Sequence, residues 1–413
     1  MDEQLHPQSN WSEIPQDILL KISKSLKIYS DYIHLRVVCR HWHTILPSKP
    51  PKTLPCQLPW LLLPPSNPAT GNSHRTFYNI LTNKLYSLSV LKSSYPRRIL
   101  GSSHGYLIIS SGTPEIFCLN PLTNSKVLLP SLSSLPGVVS FSFSNLGREY
   151  LIQDQFTHQI YFLDLQQMRD DFIRKLVLSS PPRGGSQSQS RPESPTLVFA
   201  IVTSFLTKTT ELVFCTTLDD KWNWVPVSDF TAEDVIYCES NGLFYAVNKN
   251  GDIGSFKISV GGICEVVSIW KSVDLMGGDL KYLVLIDDEL ILLTRNLGSE
   301  ADLITYCELY KTVGFKVFRF SKDGVGRVRW MPVPNIEDWM VFVGESSSVA
   351  LLASDFRGCR GNRIYFTDDH SKCNDVGVFD IGEKCTEALS CFPDDVILPL
   401  YWQSPIWITP NPH

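Results

Sequence analysis

Gly324-Val-Gly326-Arg-Val-Arg329 opens like a dinucleotide fingerprint, in which glycines let a pyrophosphate approach the backbone at the start of a helix. Its third glycine is missing and it lies between strand-like segments, so the spacing predicts a hairpin turn. Gly344-Glu-Ser-Ser lacks the G-x-S-x-G spacing that strains a nucleophilic serine at a strand-to-helix elbow. His41 and His43 fall on opposite sides of a helix and cannot share one metal ion with ordinary spacing. Asp355 with Asp368-Asp369-His370 offers oxygen ligands that a hard cation would accept, but aspartates between strands are more economically read as turn formers. No phosphate-binding G-x-x-x-x-G-K-[S/T] loop is present. These residues point to no catalytic centre, no cofactor and no metal site. A chain without chemistry of its own acts through surfaces, so the elements that build surfaces carry the function.

The most informative element is residues 11–46. Pro15 suits a first helical position, and Asp17 opposes the positive end of the helix dipole. At helical spacing Ile14, Ile18, Leu19, Ile22 and Leu26 fall within an arc of about 140°, while Lys21, Ser23 and Lys24 face away. Ser30 or Asp31 can cap a second helix carrying Tyr32, Leu35, Val38, Cys39, Trp42 and Ile45, which stops before Pro47. Chains below about 40 residues rarely bury enough surface to fold alone. The two stripes therefore need the rest of the protein or a partner. A DNA-reading helix pair would need a basic face, and residues 1–46 balance five acids against five Lys/Arg.

Ile14-Pro15-x-Asp17-Ile18-Leu19, followed by Leu35-x-x-Val38-Cys39-x-x-Trp42, resembles the F-box motif. The segment departs from the usual pattern at Ile14, where leucine is common, and at His43, where arginine is. In that family the F-box docks on a Skp-type adaptor within a cullin-RING ubiquitin ligase, while the remainder of the chain captures a substrate protein. The resemblance implies that Ile14, Pro15, Ile18, Leu19, Ile22, Leu35, Val38, Cys39 and Trp42 form or support the adaptor-facing surface. It places Leu19 and Trp42 on the face that needs a partner.

Composition sets the remaining bounds. A net charge of −5 and a pI near 6.0 give no electrostatic footprint for nucleic acid or anionic membrane. Residues 1–10 are polar and acidic, read as a disordered N-terminus without a secretory h-region. The apolar run Trp60–Leu63 is far below the ~20 residues a membrane helix needs. Eleven cysteines without a C-x-x-C pair read as reduced thiols, placing the chain in the cytoplasm, the nucleus or both. Residues 47–68, with eight prolines, read as a semi-rigid linker.

From about residue 60 the apolar period changes from 3.6 to 2. A unit of two strands around a polar turn recurs at 105–120, 149–164, 242–258 and 362–381, its second strand often ending in Asp or Asn. A third element places Trp222, Trp224, Trp270 and Trp330 a few residues before valine. Unit starts near 105, 149, 242 and 289 give a period near 46, the middle gap holding two units. Such a period predicts a β-propeller, residues 69–413, with room for six or seven blades and an irregular blade between 289 and 362. A single β-sandwich of this length is the competing arrangement. Residues 180–194 carry no apolar side chain beyond proline and read as a disordered loop.

FKVFRFSKDGVGRVRWMPV (315–333), VFVGESSSVALLASDFRGCRGNRIYFTDD (341–369) and LPWLLLPP (58–65) are similar to the kelch-like domain of unknown function carried by many plant F-box proteins. The expectation is then an α+β multidomain chain: a short helical F-box followed by a mainly-β propeller, acting as the non-catalytic substrate-recognition subunit of a Skp-cullin-F-box ligase. Two rivals differ in class. One is a propeller scaffold whose F-box-like helices pack internally, and the other a propeller enzyme, for which no convergent His and carboxylate set exists.

Overall fold

The computed structural model describes residues 11, 14–51, 54–64, 74–89, 97–182, 195–259, 261–273, 276–301, 308–368, 375–391 and 404–412. The expected disordered segment 1–10, residues 183–194 of the expected loop 180–194, and the Asp369-His370 pair lie outside them. The chain divides into two compact units, Met1–Leu58 with Pro410–His413, and Pro59–Thr409. No helix among the described residues is long and apolar enough to cross a membrane.

The first unit holds three helices, α1 (Gln16–Ser25), α2 (Tyr29–Arg36) and α3 (Arg40–Ile45). Pro15 is the N-cap of α1 and Asp17 lies in its first turn. The second apolar stripe is not one helix. Cys39 is extended and its Sγ accepts the Trp42 N–H at 3.5 Å, capping α3 and breaking the chain after α2. Two consecutive β-branched residues, Val37 and Val38, occupy the break, where helix propensity is weak. Ser30 and Asp31 do not cap α2; Ile28 is its N-cap and no side chain bonds there.

The proline-rich segment is not a free spacer. Residues 47–51 and 54–58 belong to the first unit, and Pro47, Lys49 and Gln57 contact its helices. The Tyr32 hydroxyl donates to the Pro47 and Lys49 carbonyls at 2.7 and 3.1 Å. The Gln57 amide accepts the Tyr29 N–H at 2.8 Å and donates to the Lys27 carbonyl at 3.0 Å. Trp60–Leu62, within the expected linker, is a strand of the second unit, because its backbone pairs with a neighbouring strand on each edge.

The second unit is built from sheets in chain order. β1 (Trp60–Leu62), β2 (His74–Asn79) and β3 (Lys84–Ser89) begin one. β4 (Arg97–Ser103), β5 (Tyr106–Ser111), β6 (Ile116–Leu119) and β7 (Lys126–Leu128) form the next. β8 (Val138–Phe141), β9 (Tyr150–Gln153) and β10 (Ile160–Leu163) make a three-stranded sheet, followed by helix α4 (Leu165–Asp170). β11 (Ile173–Leu178), β12 (Leu197–Thr203), β13 (Thr210–Thr216) and β14 (Asn223–Trp224) follow. Then come β15 (Ala232–Cys238), β16 (Leu243–Asn248), β17 (Ile253–Ile258) and β18 (Cys264–Trp270). β19 (Leu280–Ile286), β20 (Glu289–Ala301), β21 (Glu308–Lys322) and β22 (Val328–Pro332) form a sheet with a long central hairpin. The last sheet is irregular: β23 (Trp339–Val343), β24 (Val349–Leu352), β25 (Arg363–Phe366), β26 (Gly377–Asp380) and β27 (Cys385–Ala388) take the order 24-23-25-26-27, with β23 and β25 parallel. β28 (Ile406–Ile408) pairs beside β1, so the end of the chain completes its first sheet.

Six of these sheets follow one another around a ring, with β28, β4, β11, β15, β19 and the β23–β24 edge as successive neighbours. The ring closes where Trp407 of β28 meets the rings of Phe342 and Tyr365. Gly101 serves this closure: a Cβ there would come within 2.7 Å of the Glu345 carbonyl oxygen. The three-stranded sheet β8–β10 stays outside the inner ring, since β4 lies directly against β11 and the Ser103 hydroxyl accepts the Leu178 N–H at 3.2 Å. It wedges Tyr150, Ile152 and Leu163 into the apolar core between the β4–β7 and β11–β14 sheets. Further cores fill four of the other gaps between neighbouring sheets.

The Asp and Asn residues that end strands have a shared task. Asn79, Asn120, Asp154 and Asp380 each accept backbone N–H groups two and three residues on, and a left-handed residue follows two positions after the second donor or sooner: Asn83, Asn124, His158 and Lys384 have φ between 53° and 56°. The side-chain oxygen replaces the missing strand partner for those N–H groups and holds the tight turn. Among the described residues, Gly324 and Gly326 sit in such a hairpin turn, with Asp323 accepting the Val325 and Arg327 N–H groups at 3.0 and 2.8 Å.

Candidate functional site

The F-box unit separates its apolar residues into two sets. Leu19 is 0 % exposed and Trp42 7 %, and with Leu46 they form a small core on which Ile14, Leu20, Leu35, Cys39 and Ile45 pack. Leu19 and Trp42 are therefore not on a partner-facing surface, contrary to the expectation from sequence. Three short helices have few residues to make an interior, and Trp42, the largest side chain of the second stripe, is used for it. The Trp42 indole donates to the Trp11 carbonyl at 3.2 Å, which fixes the ring in that core. Tyr32 is also fully buried, and burial raises its pKa against the opposing effect of Arg36.

What remains outside is a second apolar set. Ile18 is 41 %, Val37 64 % and Val38 60 % exposed, and Pro15, the N-cap of α1, is exposed as well. Ile22 is half-buried. Of the nine residues expected to serve the adaptor, Pro15, Ile18 and Val38 present surface, Ile14, Ile22, Leu35 and Cys39 are intermediate, and Leu19 and Trp42 support from within. Val37 was missed because it lies off the helical stripe. The break at Cys39 exposes it, and two β-branched residues ahead of a capping cysteine are the signal that could have marked that break.

Among the described residues no group of three or more His, Cys, Asp or Glu could hold a metal ion. The buried charges serve contacts between sheets. Lys175 on β11 pairs with Asp234 on β15, whose carboxylate also accepts the Leu283 N–H of β19 at 2.7 Å. Burial raises the pKa of Asp234 against the lowering by Lys175. Arg295 is buried against the Phe366 ring, 4.7 Å from its centroid, and binds Asp375 at 2.9 Å.

With both units described, comparison with known proteins gives a consistent result. An F-box domain model matches residues 11–54, and a KIB1-4 β-propeller model matches residues 77–380. An F-box joined to a β-propeller defines the class of the molecule. The chain belongs to the KIB1-4 β-propeller family, which replaces the kelch-like label suggested by the strand motifs. It is similar to the F-box protein SKIP23 of Arabidopsis thaliana, with 26% identity over 97% of this chain and 96% of that protein. The putative F-box protein At1g65770 of Arabidopsis thaliana is 24% identical over 87% of this chain and 90% of its own length. Among solved structures, TolB from Acinetobacter baumannii aligns over 90% of this chain and 71% of that one, at 11% identity and a TM-score of 0.36, too slight a likeness to build on.

Proposed function

We propose that the chain is the substrate-recognition subunit of a Skp-cullin-F-box type ubiquitin ligase, working in the cytoplasm, the nucleus or both. The observation that carries this reading is the uncovered set Pro15, Ile18, Val37 and Val38 on an F-box unit whose own core is already filled. Exposed apolar side chains on a small helical unit lower the free energy of docking when a partner removes them from water. A Skp-type adaptor supplies that partner, and through it a cullin-RING assembly. The propeller holds a target protein and raises its effective concentration near the transferring enzyme, with catalysis left to the partners.

Co-purification of the full chain with a Skp-type adaptor tests the reading, comparing wild type with an Ile18→Asp, Val38→Asp double variant. Both sites are exposed, so the variant keeps its fold while a carboxylate at each contact opposes docking. Adaptor retained by wild type and lost by a normally folded variant supports the proposal. A folded wild type that captures no adaptor refutes it.

A further inference from the structure

The six sheets of the ring protect their outward edges. Lys84 lies in β3, Lys126 in β7, Glu265 in β18, Pro332 in β22 and Glu387 in β27, while β14 is two residues long. Charges, prolines and shortness are what keep an edge strand from pairing with another chain. β10 carries neither a charge nor a proline: it reads Ile-Tyr-Phe-Leu and forms one edge of the three-stranded sheet β10-β9-β8. The register pairs Tyr161 with Ile152 and Leu163 with Tyr150, and the Asp154 N–H donates to the Gln159 carbonyl in the same ladder. Antiparallel alternation then turns the N–H and C=O groups of Ile160 and Phe162 away from β9, toward the open edge. The same two residues are 59 % and 49 % exposed. Arg148 stacks over Phe162, its guanidinium 5.6 Å from the ring centroid, and has no carboxylate partner among the described residues.

We infer that the open edge of β10 receives an extended strand from the target protein, apolar at alternate positions and carrying a carboxylate that reaches Arg148. Backbone hydrogen bonds to Ile160 and Phe162 would supply the pairing, and the apolar side chains together with Arg148 would supply selectivity. Charge decides between this occupant and a second copy of the chain. A copy paired antiparallel on the same edge would bring two Arg148 guanidiniums onto one face, where like charges repel; an acidic strand is attracted. This inference rests on the target-capturing half of the proposed function and is independent of the F-box surface.

The test uses the full chain and two fluorescently labelled nine-residue peptides of alternating valine and threonine, one with a central glutamate and one with a central lysine. Anisotropy should show the glutamate peptide binding about tenfold tighter, the size of one charge-assisted contact. Arg148→Glu, at an exposed position, should reverse that preference. Ile160→Pro, which removes the outward N–H, should abolish binding of both peptides, and circular dichroism confirms that each variant is folded. Equal binding of the two peptides, no binding of either, or binding insensitive to a folded Arg148→Glu variant would overturn the inference, as would self-association in sedimentation that Ile160→Pro abolishes. Adaptor co-purification from the same preparation separates the two failures: adaptor capture without peptide binding refutes the edge alone.

Discussion

The Tyr32 hydroxyl donates to the Pro47 carbonyl at 2.7 Å, tying a fully buried side chain of α2 to the second residue after α3. The proline-rich segment is thereby part of the F-box unit rather than a tether beyond it. Tyr32→Phe removes the donor to both Pro47 and Lys49 while keeping the ring. The expected outcome is a loss of about 1 kcal/mol from that unit, together with faster hydrogen exchange at Ser48 and Lys49, whose amides are the exchangeable ones in residues 47–51. Unchanged exchange there would show that Gln57 alone holds the segment.

Neighbouring residues on α1 should behave in opposite ways. Leu19→Ala empties part of a core that contains few other side chains, so the F-box unit should lose about 2–5 kcal/mol. Ile18→Ala changes exposed surface and should stay within about 0.5 kcal/mol. Hydrogen exchange at the α1 amides across a denaturant series would measure both. In adaptor binding the Leu19 variant should fail only as its fold fails, whereas the Ile18 variant should weaken binding with its fold intact.

The lessons of sequence follow the length of the signal. The period near 46 residues located the hairpins β5–β6, β9–β10, β16–β17 and β25–β26, and β12–β13 fills the double gap between 149 and 242. Strand alternation and turn residues are local, so they could be read directly. Trp224, Trp270 and Trp330 fell on β14, β18 and β22, the fourth strands of their sheets, for the same reason. The irregular interval 289–362 resolved into the long β20–β21 hairpin and the parallel β23–β25 pair. Which sheets share the inner ring was not legible, because β4 against β11 is a contact between segments about 75 residues apart. At the F-box, periodicity found the apolar residues but could not divide core from surface. Leu19 and Ile18 are adjacent, both aliphatic and within one arc, and only the position of Trp42 decides which of them is inside.

Between sheets, the Lys175–Asp234 pair should show strong coupling. Both side chains are almost fully buried, and the Asp234 carboxylate also holds the Leu283 N–H. Lys175→Met alone strands a carboxylate in the interior and should destabilise the propeller by about 3–5 kcal/mol. The Lys175→Met, Asp234→Leu double variant removes both charges and should recover a large part of that loss. A double-mutant cycle in urea measures the coupling, and simple additivity would show that the pair is not interacting in the folded protein.

Glu211 on β13 gives the propeller a pH dependence of defined sign. Burial, and secondarily the nearby Asp154 carboxylate, push its pKa up from 4.5 to about 7. Asp154 itself, although burial pushes it upward, is held below its ordinary value by hydrogen bonds from Ser204, Thr157 and Phe156. Tyr161 faces both carboxylates and has its own pKa raised by burial. A folded-state pKa above the unfolded one means that the native chain holds the extra proton between about pH 4.5 and 7. Stability from this group is therefore fully present below pH 4.5, declines as pH rises through 7, and is absent above. Glu211→Gln keeps the shape without the charge. It should leave stability at pH 5 nearly unchanged and raise it at pH 8 by on the order of 2 kcal/mol. Thermal melts of both proteins across that range would show the curves converging at acid pH, and a constant difference between them would assign the effect to packing instead of titration.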